Sequence, residues 1–144
     1  MSSQRLQILQ DLQTQLETIL ITNSYSTDIG QNVVYWEVYE IDYNGPIILT
    51  FRDVETEYQF DNIYYLNKMI VDIESIGYTQ EATKLIDSCN ILDDIYGALI
   101  EQHWSDNILV VRPKADSKLI QGKGKQAISI SFKVEIEYKA YGLR

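Results

Sequence analysis

Apolar residues recur every three or four positions near the start of the chain, which is the spacing of one face of an α-helix. This pattern predicts a helix over residues 3–22, which Ser2 or Ser3 can cap at its amino end. Residues 23–30 are polar and predict a loop. The buried face of the helix is predicted to consist of Leu6, Leu9, Leu12, Leu16, Ile19 and Leu20.

The pattern then changes to that of β-strands. Residues 33–41 are rich in β-branched and aromatic side chains, which favours a strand. Asn44 and Gly45 both tolerate positive φ, so they predict a hairpin turn into a returning strand at residues 47–51. These two strands are therefore expected to pair with each other in opposite directions.

Residues 53–62 are polar and fit no single element. A third strand is predicted over residues 66–76, where apolar and charged residues alternate, and Gly77 is predicted to end it. The residues expected on its buried face are Met69, Val71 and Ile73.

A second helical pattern covers residues 80–102, with Thr79 as its predicted cap. Asp93 falls within the apolar face of this helix, where a carboxylate needs hydrogen-bond donors. Either a neighbouring loop supplies those donors, or Asp93 contacts another subunit. The predicted apolar face consists of Ala82, Leu85, Ile86, Cys89, Leu92, Tyr96, Leu99 and Ile100.

The last part of the chain contains the clearest strand. Residues 107–112 predict a short apolar strand, and residues 113–125 predict a polar loop that Gly122 and Gly124 allow to reverse. Strict alternation with polar residues then predicts a long strand with one buried face. That face is expected to consist of Ile128, Ile130, Phe132, Val134, Ile136 and Tyr138.

The predicted loop at residues 113–125 carries the basic residues that stand out in an acidic chain. Such a loop can act as a flexible arm that contacts an acidic neighbouring subunit or a DNA phosphate, or it is a solvated hairpin tip. Together with Asp93, four lysines are therefore candidate subunit contacts: Lys114, Lys118, Lys123 and Lys125.

The order of elements is helix, three strands, helix, two strands. This order predicts an α+β fold, with a mainly antiparallel sheet of about five strands and two helices packed on one face. The 144 residues suit a single domain, residues 1–144.

Composition changes the picture in one respect. The net charge of -9 argues against a protein that wraps nucleic acid, because phosphate neutralisation needs clustered Lys and Arg. The acidity either keeps the protein soluble or suits a wall along which DNA slides without sticking. No apolar run approaches a membrane span, and residues 1–5 lack a signal-peptide core, so synthesis in the cytoplasm is expected.

The residues that most often carry catalysis are scarce. Any Ser-His-Asp or Cys-His site would have to use His103, which is the single histidine and lies at a predicted helix end. Two carboxylate pairs, Glu55 with Glu57 and Glu135 with Glu137, can each hold a cation or act as an acid/base pair, or simply form a solvated face. The glycines and lysines at 122–125 lack the spacing and hydroxyl of a phosphate-binding loop. No enzyme activity, metal or cofactor is expected.

Several pieces run in order along nearly the whole chain. They are the leucine-striped first helix, the loop at 25–30, the strand at 33–39, the hairpin at Pro46, the segments Leu92-Asp93-Asp94-Ile95 and Ala98-Leu99, and the last strand ending on Glu137-Tyr138. In length, order and hydrophobic pattern these pieces resemble the tail terminator, or tail-completion, proteins of tailed bacteriophages.

The resemblance implies a structural virion protein of the tail or neck, assembled in the host cytoplasm. It implies a homo-oligomeric ring, usually a hexamer, that caps the tail tube, ends its polymerisation and forms the docking surface for the head connector, with DNA passing through the centre. The implied partners are the tail tube protein, the head–tail connector or stopper protein and, in contractile tails, the sheath protein. The alternatives are another neck or tube component, or a small-ligand-binding module that uses Glu55, Glu57 or Asp93.

Overall fold

The computed structural model describes residues 3–36, 47–61, 64–100, 104 and 108–140. They form one five-stranded sheet and two α-helices, which confirms the predicted α+β class. The strand order is β1-β2-β3-β5-β4. In chain order the elements are α1 (Gln4–Glu17), β1 (Val33–Tyr35), β2 (Ile48–Asp61), β3 (Tyr64–Gln80), α2 (Lys84–Ile100), β4 (Ile108–Gln121) and β5 (Lys125–Ala140).

The hydrophobic core lies between one face of the sheet and the two helices. Strand β3 and strand β5 pair antiparallel along their whole lengths in the middle of the sheet. Burying alternate side chains of both strands stabilises the fold by about 1.5–3 kcal/mol for each large apolar residue. All predicted inward residues of β5 are buried, as are those of β3: Ile128, Ile130, Phe132, Val134, Ile136 and Tyr138, and Met69, Val71 and Ile73.

Helix α1 is shorter than predicted, because it ends at Glu17 and a separate turn covers Ile21–Asn23. Ser3 is its cap, and its Oγ accepts a hydrogen bond from the Leu6 amide at 2.9 Å. The predicted inward position of Leu6 is wrong: Leu6 is exposed, and Ile8 is buried in line with Leu12 and Leu16. At about 100° per residue, Leu6 and Ile8 point to nearly opposite sides of the helix.

The predicted antiparallel pairing of the first two strands in a hairpin is wrong, because the described residues of these strands pair in parallel. Val33–Tyr35 runs parallel to residues 49–51 of β2, with Val33 opposite Leu49. Trp36 then has a positive φ of 58°, a left-handed conformation that ends the strand. The Asn44-Gly45 turn itself lies outside the described residues.

Three other predicted boundaries are wrong because strands extend further than their local sequence indicates. The ambiguous residues 53–61 continue β2, and β3 passes through Gly77 to Gln80. A Cβ added at Gly77 would lie 2.4 Å from Cγ1 of Ile47, so the glycine permits a close contact within the strand. Thr79 consequently belongs to β3 and does not cap α2, which begins at Lys84.

Candidate interaction surface

The outward face of α2 is the face that the sequence predicted to be buried. Leu85 and Ile86 are 69% and 61% exposed, and Cys89 and Tyr96 are also exposed. Three residues of the predicted buried face do lie towards the core. They are Leu99, which is buried, and Leu92 and Ile100, which are partly buried. The buried residues of the helix are instead Ser88, Ile91, Asp94, Ile95, Ala98 and Leu99.

Asp94, which the sequence reasoning did not single out, is the buried carboxylate of α2. Its side chain accepts hydrogen bonds from the Ser26 amide at 3.1 Å, the Thr27 amide at 2.8 Å and the Thr27 hydroxyl at 2.6 Å. Asp93 is exposed, and the loop that was expected to donate hydrogen bonds to Asp93 donates them to Asp94 instead. The signal that could have found Asp94 is its helical spacing from Ile91 and Ala98, both of which are buried.

The four candidate lysines do not lie on a flexible arm, because residues 113–121 extend β4 and pair with β5. Lys118 donates from Nζ to Oγ of Ser88 at 3.1 Å, which brings β4 against α2. Lys125 begins β5 and its Nζ lies 4.7 Å from the ring centroid of Tyr78. Lys123 is at the exposed turn between β4 and β5, and Lys114 lies at an irregularity in β4.

The sheet face opposite the helices carries ion pairs that cross its strands. Arg112 lies 2.7 Å from carboxylate oxygens of both Glu135 and Glu137. The hydrogen bonds of Glu137 and Glu135 raise the pKa of Arg112 above its usual range. One of the two carboxylate pairs found in the sequence therefore holds a guanidinium group.

Two more ion pairs lie on this same face. Arg52 approaches Glu74 at 3.1 Å, and Lys133 approaches Asp72 at 4.0 Å. Much of the charge on this face is thus neutralised by neighbouring strands within the chain.

The other carboxylate pair, Glu55 and Glu57, lies exposed on β2. Within the described ranges, no group of three or more His, Cys, Asp and Glu side chains is placed to hold a metal ion. His103 lies outside the described residues.

A cavity of about 450 Å³ lies between α1 and the strands β1 and β2. The Tyr35 hydroxyl donates to Oδ1 of Asp53 at 2.5 Å, and burial together with this bond raises the pKa of Tyr35 to about 12. Arg5 donates to the Tyr58 hydroxyl at 2.7 Å nearby. The walls are mainly apolar, with Leu6, Leu9 and Phe51 among them.

The sheet has an open edge on each side in the part of the chain that the structure describes. Strand β4 pairs with β5 alone, and its residues 112–119 are all exposed. On the other side, β1 pairs with residues 49–51 of β2 and leaves the rest of β2 with β3 alone. Val54, Tyr58 and Phe60 are exposed along this second edge.

Unpaired strand edges are templates for pairing with another chain. The two open edges are therefore the candidate interaction surface. We refer to residues 55–60 as the β2 edge and to residues 114–121 as the β4 edge.

No protein-family model matches the chain, and no curated protein matches its sequence. Neither α1 nor α2, the helices of the described residues, combines the length and the hydropathy that crossing a membrane requires.

Proposed function

We propose that this chain is a structural virion subunit, the tail terminator of a tailed bacteriophage. Copies of it form a ring, a hexamer by resemblance, that caps the tail tube and stops further addition of tube protein. The opposite side of the ring receives the head–tail connector, and DNA passes through the centre.

The observation that carries this proposal is the pair of different open edges on one sheet. A subunit that joins two unlike surfaces head to tail generates a ring when the rotation between copies closes. The β2 edge and the β4 edge lie on opposite sides of the five-stranded sheet, so each copy can contact two neighbours at once. The order and pattern of the elements supply the resemblance to tail terminators.

The charge distribution supports passage of DNA through such a ring. The chain carries a net charge of -9, and the helix-free face holds its arginines in ion pairs with Glu74, Glu135 and Glu137. Phosphate binding depends on cations that are available to replace counterions. A wall with few available cations lets DNA slide with little retention.

The test is the length of the tail tube. Purified tube protein from the same phage is polymerised with and without this chain, and tube lengths are measured by electron microscopy. The expected result is that the chain caps tube ends as a ring and arrests growth, whereas tubes without it continue to lengthen. Tubes that grow equally long in both samples would contradict the proposal.

A control separates the terminator from the other neck proteins. If the chain forms rings that bind the head–tail connector but never the tube end, it is a neck stopper and not a terminator. Bovine serum albumin at the same mass concentration serves as the crowding control for tube growth.

A further inference from the structure

The cavity between α1 and the strands β1 and β2 has mainly apolar walls. Phe51 is buried and Leu9 is partly buried, whereas Leu6 and Tyr35 are 48% and 46% exposed. The rings of Tyr35 and Phe51 lie 5.3 Å apart. At about 450 Å³ the cavity falls within the range of small-molecule pockets, which is about 300–1,000 Å³. It is therefore large enough for a small molecule with an apolar body.

The register of the sheet directs the lining residues of β2 towards the helices. Phe51 and Asp53 lie two positions apart, and their partners on β3, Ile73 and Val71, are buried in the core. Side chains opposite each other on paired strands share a face of the sheet, so Asp53 lies on the helix side together with Phe51. Leu6 and the other lining residues of α1 close the cavity from the opposite side.

Arg5 supplies a positive charge to the lining of the cavity. It donates a hydrogen bond to the Tyr58 hydroxyl at 2.7 Å. Burial lowers the pKa of Arg5, but hydrogen bonds to Tyr58 and Tyr138 outweigh this effect and raise the pKa above its usual range. The guanidinium is thus charged and is held in place by neutral hydroxyl groups.

Asp53 supplies a negative charge to the same lining. Its Oδ1 accepts a hydrogen bond from the Tyr35 hydroxyl at 2.5 Å. Neither Asp53 nor Arg5 is in an ion pair with a residue that the structure describes. Both charges are therefore available to a ligand in the cavity.

These two charges restrict the class of ligand. A neutral apolar molecule that displaced water from the cavity would leave both charges without water and without an ion-pair partner, which costs free energy. A lone carboxylate would meet Asp53, and a lone ammonium group would meet Arg5. A molecule that carries both groups beside an apolar body avoids each of these costs.

We propose that the cavity binds a zwitterion with an apolar side chain, namely a free apolar α-amino acid. The ligand's carboxylate pairs with Arg5, its ammonium group pairs with Asp53, and its side chain packs between Leu6 and Phe51. This binding goes beyond the proposed function and does not depend on it, since the cavity is built from the residues of a single copy.

The experiment is isothermal titration calorimetry of the full chain with L-phenylalanine, L-leucine and three analogues of phenylalanine. Hydrocinnamate lacks the ammonium group, phenethylamine lacks the carboxylate, and phenethyl alcohol lacks both charges. L-Phenylalanine is expected to bind at least about tenfold more tightly than each analogue, because hydrogen bonds between charged groups are the strong ones.

Two variants assign the charges to the ligand's groups. Arg5→Gln is expected to weaken the binding of L-phenylalanine at least about tenfold and to leave phenethylamine bound no more weakly. Asp53→Asn keeps an acceptor for the Tyr35 hydroxyl; it is expected to weaken L-phenylalanine by a similar factor and to leave hydrocinnamate bound no more weakly. Circular dichroism and thermal melting show that each variant keeps the fold.

The matched controls Lys123→Gln and Asp93→Asn remove exposed charges of the same two signs away from the cavity and are expected to bind L-phenylalanine like the wild type. Three results would overturn the proposal: dissociation constants above about 10 mM for both amino acids, analogues that bind as tightly as L-phenylalanine, or variants that weaken every ligand equally. The tube-length assay reports the proposed function separately, because it contains no added amino acid.

Discussion

At the scale of single residues, the loop after α1 depends on Asp94. Replacing the buried Asp94 by Ala removes the acceptor of the Ser26 and Thr27 amides, which is expected to cost about 1–3 kcal/mol in the free energy of unfolding. The adjacent Asp93→Ala change removes an exposed carboxylate and is expected to stay within about 0.5 kcal/mol. Urea denaturation of both variants checks this pair. Equal stability losses would mean that the loop is not held by Asp94.

Tyr35 gives a second prediction at this scale, for the alkaline range. The pKa of Tyr35 is raised to about 12, above its ordinary value of 10.0, so the folded state retains this proton more tightly than the unfolded state. Its contribution to stability is complete below pH 10 and is lost as the pH rises through about 12. Tyrosine ionisation is followed by ultraviolet absorbance as the pH is raised. The difference between the titration curves of the wild type and of Tyr35→Phe gives the pKa of Tyr35 separately from those of the other tyrosines.

Replacing Asp53 by Ala removes the hydrogen-bond acceptor and is expected to lower the Tyr35 pKa towards its ordinary value. An unchanged pKa in that variant would assign the whole shift to burial. A Tyr35 that titrates near pH 10 in the wild type would contradict the prediction itself.

At the scale of elements, the fold depends on the central strand β5. Ile130 is fully buried on its inner face, so Ile130→Asp places an unpaired charge in the core and is expected to cost more than about 4 kcal/mol. Circular dichroism should show loss of the folded state. Ser117→Asp on exposed β4 is the control and is expected to leave the fold intact. A folded Ile130→Asp protein would contradict the observed strand register.

The elements also show how far the sequence determines the fold. The alternation in β5 predicts its buried residues correctly, because a period of two admits only one inward face. Helix α2 has apolar residues on two overlapping faces. The face with Leu85 and Ile86 points outward, so hydrophobicity alone does not determine which face is buried. Long-range pairing decides the rest: β4 continues through residues 113–121 because β5 lies beside it, which no local signal in that polar stretch indicates.

The sequence predicts only part of the candidate interaction surface. Lys114 and Lys118 were identified from their basic character, and the structure brings both onto the β4 edge. The sequence identifies Glu55 and Glu57 as a carboxylate pair, but their place on the β2 edge follows from β1 pairing, among the described residues of β2, with residues 49–51 alone. Sheet order is a property of the whole chain, so a local motif does not encode it.

At the scale of the whole molecule, the net charge of -9 opposes assembly. Like-charged copies in the proposed ring repel one another over a distance that the salt concentration sets. The screening length is about 30 Å at 0.01 M salt, about 8 Å at 0.15 M and about 3 Å at 1 M. Association of copies is therefore expected to be weaker at about 0.01 M salt than at about 0.15 M.

Light scattering over this range of ionic strength measures the mass of the assemblies. Association that falls between about 0.01 M and about 0.15 M salt would contradict this expectation.

The position of β5 in the sheet has a consequence for synthesis on the ribosome. Among the described strands, β4 has β5 as its sole neighbour, and β5 is made after it. Pairing between Tyr65 and Ala140 likewise joins segments that are far apart in the chain, so the sheet closes late. The β4 edge is thus not formed until residues 125–140 have been translated, so a nascent chain does not present this edge before that point.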